Sequence, residues 1–283
     1  MKWKKWIAVT VLAALAVGLV GCGAEKKDAG SAGGEKVKLT VFAAASMTET
    51  LQEIAKDYEK EHPDVELVFN FDSSGTLKKQ IENGAACDVF ISAAQKQMNQ
   101  LDKTQDEKNN PGHLDFIIPD TRINLLENHV VLVTPEGNPG HVENFNDMAA
   151  KLQAGSIRLV MGNSDVPVGQ YTQKILAYYG LNEQELANAG HISYGSNVKE
   201  VTTQVKEGSA DCGVIYATDA FSAGLKPLDQ ATKAMCGQAI YPAAVLKDSK
   251  HVAAAKDFLQ YLQSDAAMKV FEHVGFSPVT DGQ

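Results

Sequence analysis

VKLTVFAAASMTETLQEIAKDYEKEHPDVELVFNFDSSGTLKKQIENGAACDVFIS, residues 37–92, decides the fold class of this 283-residue chain. Val37 to Ala44 alternates apolar and polar residues and then turns wholly apolar, the pattern of a strand whose end is buried. Leu51, Ile54, Ala55 and Tyr58 recur at helical spacing, which predicts an amphipathic helix over 48–61, stopped near His62-Pro63. Val65 to Phe71 reads as the next strand, Leu77 and Ile81 carry a short helix to Asn83-Gly84, and Asp88 to Ser92 is a third strand. The order βαβαβ predicts a parallel sheet with helices on both faces.

Working outward, residues 102–121 are polar and carry Pro and Gly, which predicts a surface insertion with modest structure. A second unit follows, with strands at Val130–Thr134, Ile157–Met161 and Cys212–Ala217 and helices at 168–179, 183–188 and 198–207. Ala239 to Leu246 is another strand. Ala255, Phe258, Leu259 and Leu262 keep helical spacing, and a last helix over 265–273 ends at Gly275. No repeat of fixed period is visible. Two α/β units predict a bilobal protein that binds its ligand in the cleft, at the carboxyl ends of the strands.

The start of the chain is an address. Lys2, Lys4 and Lys5 precede Ile7 to Val20, an uncharged run of 14 residues, short for a membrane span and suited to a signal peptide. The run ends in Leu19-Val20-Gly21-Cys22, which resembles the lipobox of bacterial lipoproteins, where the signal is removed and the cysteine receives lipid. Residues 1–21 are therefore expected to be a signal, and 22–36 a lipidated Cys22 with a flexible Gly- and Ala-rich tether. The expected location is outside the cell membrane, held to its outer face (or the periplasm) by the anchor alone.

Charge excludes one class of partner. The chain carries 26 basic and 35 acidic residues, a net charge of −9. Without the three lysines of the signal, 23 basic residues face the same 35 acids, a net of −12. That balance argues against nucleic acid, whose capture rests on Lys and Arg. With 44% hydrophobic and 22% charged residues, the composition is that of a folded protein and not of a disordered one. Four cysteines, Cys22 among them, are too few for a disulfide scaffold, and Cys87, Cys212 and Cys236 are expected as small buried residues.

Catalytic patterns fail. There is no GxSxG, HExxH, Walker A loop or GxGxxG after a strand, and the seven histidines are scattered. What remains is a set of helix starts. Ala43-Ala44-Ala45-Ser46 follows a strand, and Ser46 with Glu49 predicts a capping box. Ser73-Ser74-Gly75-Thr76 follows another strand. Pro167 suits the first helical turn before Val168, and Asn197 with Glu200 predicts a cap that leaves the Val198 N–H near a free helix end. Each helix start offers unpaired N–H donors and about half a positive charge. Four starts facing one cleft would complement a small dianion.

These segments resemble the periplasmic molybdate-binding proteins of ABC transporters. The matching stretches are VFAAASMTETLQEIA (41–55), FDSSGTLKKQIENGAACDVFISAAQKQM (71–98), GNSDVPVGQY (162–171), GSADCGVIYATDA (208–220), IYPAAVL (240–246) and GFSP (275–278). The resemblance implies an α/β chain with the type II periplasmic-binding-protein fold, two α/β lobes joined by two crossing strands. Lobe I would be 37–125 with 239–283, and lobe II 126–238. It implies a non-enzymatic receptor without a cofactor that closes around molybdate or tungstate and hands it to a permease. The anion's oxygens would be held by Ser46, Ser74, the Val168 and Val198 amides and Tyr216, with no residue ligating the metal itself and Ser73 the next serine to consider. A monomer is expected. Departures from the family pattern are Asn163-Ser164, the long stretch 104–121, and Cys87 and Cys212. Alternatives are a receptor for sulfate or thiosulfate, a ligand-sensing surface protein, and an enzyme on the same fold.

Overall fold

Alternating residues of the first strand bury on opposite faces of one sheet. Leu39, Val41 and Ala43 join one hydrophobic cluster, whereas Phe42 joins another with Leu77, Ile81 and Phe90. That two-sided burial is what a parallel sheet between helix layers requires. The computed structural model describes residues 36–279. The expected signal, Cys22 and nearly all of the tether lie outside the described residues, as do 280–283.

The first sheet takes β1 (Val37–Ala44), β2 (Val65–Asp72), β3 (Val89–Ile91) and β4 (Ile123–Asn128). Between them run α1 (Thr48–Glu61), α2 (Ser74–Glu82) and the short α3 (Gln95–Asn99). The second sheet takes β5 (Val130–Val133), β6 (Leu159–Gly162), β7 (Ile192–Gly195), β8 (Cys212–Tyr216) and β9 (Asp229–Gln230). Its helices are α4 (Phe145–Gln153), α5 (Pro167–Tyr178), α6 (Glu183–Asn188), α7 (Val198–Lys206), α8 (Ala217–Ala223) and α9 (Lys233–Cys236). The chain then returns to the first sheet as β10 (Ala239–Val245) and ends in α10 (Val252–Tyr261) and α11 (Asp265–His273).

The strand orders are β2-β1-β3-β10-β4 and β7-β6-β8-β5-β9. In the first sheet β1 is parallel to β2 and β3, while β10 runs antiparallel to β3 and β4. In the second, β6 is parallel to β7 and β8, and β5 runs antiparallel to β8 and β9. The chain passes between the sheets at His129, between β4 and β5, and again at Gly237-Gln238, before β10. The result is a type II periplasmic-binding-protein arrangement of two α/β lobes with two crossings.

The helix expected over 48–61 spans those residues, because Leu51, Ile54, Ala55 and Tyr58 are its buried face. The expected capping box is not formed. Ser46 sits in a 3-10 turn, Ala45–Met47, ahead of α1, and neither turn nor helix takes a side-chain cap. Ser46 bonds Tyr241 instead, and Glu49 pairs with Lys199. The strand expected at 157–161 begins at Leu159, since the Arg158 N–H donates to the Asp211 carboxylate before the ladder starts. The insertion at 102–121 has turns and one 3-10 segment, Pro119–Thr121. Buried Asn110 holds it by donating to the Asp102 and Leu114 carbonyls and accepting from the Leu114 N–H. Cys87, Cys212 and Cys236 are all buried and unpaired.

Candidate functional site

Strand ends and helix starts converge between the lobes. β1 ends at Ala44 and turns into Ala45-Ser46, and β2 ends at Asp72 and turns through Ser73 into α2. From the second lobe, Val166 and Pro167 open α5, Asn197 caps α7 before Val198, and β8 ends at Tyr216. These segments surround one small cavity. Ser46, Ser74, Val168, Val198 and Tyr216 all line it, together with Ser73 and Ala93. Larger surface clefts exist, but the one containing Cys87 and Asp88 lies at the opposite ends of β1 and β3. We take the small cavity as the site because there the starts of α2, α5 and α7 meet.

Local chemistry leaves donors free. The Ser73 hydroxyl accepts the Thr76 N–H, a side-chain cap of α2. The Gly75 N–H donates across the gap to the Asp165 carbonyl, 3.1 Å away, so the Ser74 N–H is the first-turn donor not used in this way. The Ser74 hydroxyl accepts the Ala93 N–H at 2.9 Å. Tyr216 reaches over from the second lobe and donates to the Ala93 carbonyl at 3.4 Å. One residue just past β3, Ala93, therefore bonds both hydroxyls, through its N–H and its carbonyl. Val168 and Val198 lie in the first turns of α5 and α7, where N–H groups lack intrahelical acceptors. Asn197 caps α7 as expected, but Glu200 accepts from the Ser196 N–H and hydroxyl and not from Asn197.

Tyr216 is fully buried, and burial, with Tyr241 and Tyr171 beside it, pushes its phenol well above the ordinary range, which keeps it a donor. Among the described residues no Lys, Arg or His lines the cavity. Asp72 does, a carboxylate the sequence reading missed. Its Oδ1 accepts the Ser73 N–H at 2.7 Å. Ala93 was missed as well. The sequence signal was available in both cases, since Asp72 closes β2 and Ala93 follows β3.

The lobes touch across the cavity. Lys79 of α2 pairs with Asp165 at 2.6 Å, and Lys199 of α7 pairs with Glu49 of α1 at 2.7 Å. Lys199 also lies 3.3 Å from the Asp219 carboxylate, which is buried and accepts no hydrogen bond. Burial pushes the Asp219 carboxyl up to about 6 against the pull of Lys199. Among the described residues no cluster of three His, Cys, Asp or Glu could hold a metal ion. The three thiols are no better placed for chemistry: burial raises Cys87 and Cys236, and Cys212 to about 12.

Residues 39–277 match the family model described as bacterial extracellular solute-binding protein. The chain is 35% identical over 268 residues to "Putative ABC transporter substrate-binding lipoprotein YvgL" of Bacillus subtilis, covering 94% of this chain and 96% of that one. It is 35% identical over 245 residues to the molybdate-binding protein ModA of Haemophilus influenzae, covering 85% and 90%. Among solved structures, the Azotobacter vinelandii periplasmic molybdate-binding protein superposes with a TM-score of 0.71 at 24% identity, over 86% of this chain and all of that one. At that identity the likeness speaks for the fold.

Proposed function

This chain belongs to the family of bacterial extracellular solute-binding proteins, and from that premise we propose that it captures molybdate, and tungstate with it, between its lobes for delivery to an ABC importer. Anchoring through lipid on Cys22 and action as a monomer complete the reading, and its role is that of a receptor and not of a catalyst. One observation carries it: Ser46, Ser74, Val168, Val198 and Tyr216, drawn from both lobes, line a single cavity to which no cationic side chain contributes among the described residues. The relation to a named molybdate-binding protein at 35% identity supports the choice of anion.

Such a site suits a fully deprotonated tetrahedral dianion. Hydroxyls and helix-end amides supply hydrogen bonds and partial positive charge without burying a countercharge, which would cost its own desolvation. Hydrogen phosphate would bring a proton needing an acceptor, and the carboxylate at the cavity, Asp72, already accepts the Ser73 N–H through its Oδ1. Anion held on one lobe would gain the other lobe's amides and Tyr216 on closure, and only those added contacts drive it. Calorimetric titration with molybdate, tungstate, sulfate and thiosulfate tests the reading. Molybdate and tungstate are expected to bind far more tightly than sulfate; equal affinity for sulfate would overturn the choice of anion.

A further inference from the structure

Behind the cavity wall lies a buried chain of hydrogen bonds anchored on Asn128. The Asn128 Oδ1 accepts the His129 N–H at 2.8 Å. Its Nδ2 lies 2.9 Å from the Thr218 hydroxyl and 3.2 Å from the Tyr241 hydroxyl. Flipping the amide would set Nδ2 against the His129 N–H, donor to donor, so the orientation is determined. Both Nδ2 protons are thus spent, and Tyr241 accepts one of them. Either hydroxyl of the Tyr241–Ser46 pair, 2.9 Å apart, can donate; because Tyr241 already accepts from Asn128, whose amide nitrogen cannot accept in return, we assign the Tyr241 proton to the Ser46 Oγ. Ser46 then has an occupied lone pair, and its own proton is free to point into the cavity.

We infer that Tyr241, set by Asn128, is a positioning residue that locks Ser46 as a hydrogen-bond donor to the anion and so rejects anions that carry a proton. This rests on the reading of the cavity as an oxyanion site. Asn128, Tyr241 and Ser46 are all at most 3% exposed, so water does not compete for these bonds. Asn128 sits at the end of β4, beside the crossing at His129, and Thr218 belongs to the second lobe. The amide that orients the serine therefore bridges both lobes at the hinge.

The test is a double-mutant cycle on the full chain. Wild type, Tyr241→Phe, Ser46→Ala and the double variant are titrated with molybdate, each checked for folding by thermal unfolding. Tyr241→Phe is expected to weaken binding about fivefold to tenfold in the wild-type background and not at all in Ser46→Ala. Equal weakening in both backgrounds would mean a structural role and overturn the inference. The second readout is displacement of bound molybdate by sulfate and by hydrogen phosphate, alike in shape and different by a proton. Tyr241→Phe frees Ser46 to rotate and accept, so the preference for sulfate narrows. An unchanged preference, including no displacement by hydrogen phosphate from either protein, overturns the inference. This readout decides alone if Ser46→Ala binds too weakly to titrate. Absence of binding by the wild type to molybdate, tungstate and sulfate would instead defeat the oxyanion reading, and the inference with it.

Discussion

The phenolic oxygen of Tyr241 lies 2.9 Å from the Ser46 hydroxyl, across 195 residues of sequence. Ser74 stands in the matching relation to the Ala93 N–H. Ser74 accepts one bond from the protein, and on the direction inferred above Ser46 does too, so that each keeps its proton for what enters. A hydroxyl held this way enters the complex with little rotational freedom left to lose.

Replacing the two serines is expected to separate binding from folding. A hydrogen bond to a charged acceptor is worth about 1.5–3 kcal/mol, so each Ser→Ala change should cost about tenfold to a hundredfold in molybdate affinity. Ser74→Ala also strands the buried Ala93 N–H, which should cost about 1–3 kcal/mol of stability. Titration calorimetry with thermal unfolding checks both. Unchanged affinity in Ser46→Ala with Ser74→Ala would remove these residues from the site.

Asp219 gives the protein a pH dependence of unusual sign. Its carboxyl titrates near 6 in the fold, above the ordinary carboxylate range, because burial disfavours the charge. Between about pH 4 and 6 the native state holds a proton that the unfolded chain has released, so this group's contribution to stability falls as pH rises. Asp102 acts oppositely: burial raises its pKa, but hydrogen bonds from Thr104 and Arg122 outweigh that and lower it. Wild type alone would mix the two. The difference between Asp219→Asn and wild type isolates the first. The variant is expected to be more stable by about 1–3 kcal/mol above pH 6, with the gain fading toward pH 4. Denaturant titration across that range measures it, and a flat difference would refute the assignment.

The thiols offer a simpler check. Burial raises all three, Cys212 to about 12, and at Cys236 it outweighs the opposing pull of the nearby Lys174. Cys87, Cys212 and Cys236 are expected to resist a thiol reagent in the native protein and all to react in guanidinium. Rapid native labelling of one of them, followed by mass spectrometry, would reopen a covalent role.

Most elements that bury one periodic face were legible in the sequence, but α4 went unread although Phe145, Met148, Ala149 and Leu152 keep helical spacing. Helix α1 spans the residues that Leu51, Ile54, Ala55 and Tyr58 predicted, and β1 spans Val37–Ala44. Strand β4, INLLEN, went unread because its inner and outer residues do not alternate, and the four-residue β7 and the short α8 carry too little period to register. The five cavity residues were nameable from local motifs and resemblance, since each sits where a strand passes into a helix. Tyr241, Asn128 and Asp219 were not, because their meaning lies in partners that only the folded topology supplies. Ser46 with Glu49 shows the converse: the spacing fits a capping box, but tertiary partners took both side chains.

Closure itself can be tested at Gly75. A Cβ there would lie 2.2 Å from the Asp165 carbonyl oxygen, in the opposite lobe, and the same glycine donates its N–H to that oxygen at 3.1 Å. Within its own lobe, by contrast, Gly75 occupies the first turn of α2, where alanine is the better helix former by about 1 kcal/mol. The two effects separate the states. Gly75→Ala should leave the ligand-free protein as stable as wild type or slightly more so, while holding the lobes apart. Molybdate affinity is expected to fall at least tenfold, because the Val168, Val198 and Tyr216 donors no longer reach an anion seated on Ser46 and Ser74. Small-angle scattering should then show no compaction on adding molybdate, in contrast to wild type. Full affinity in Gly75→Ala, with normal compaction, would mean that the lobes do not need this contact to close.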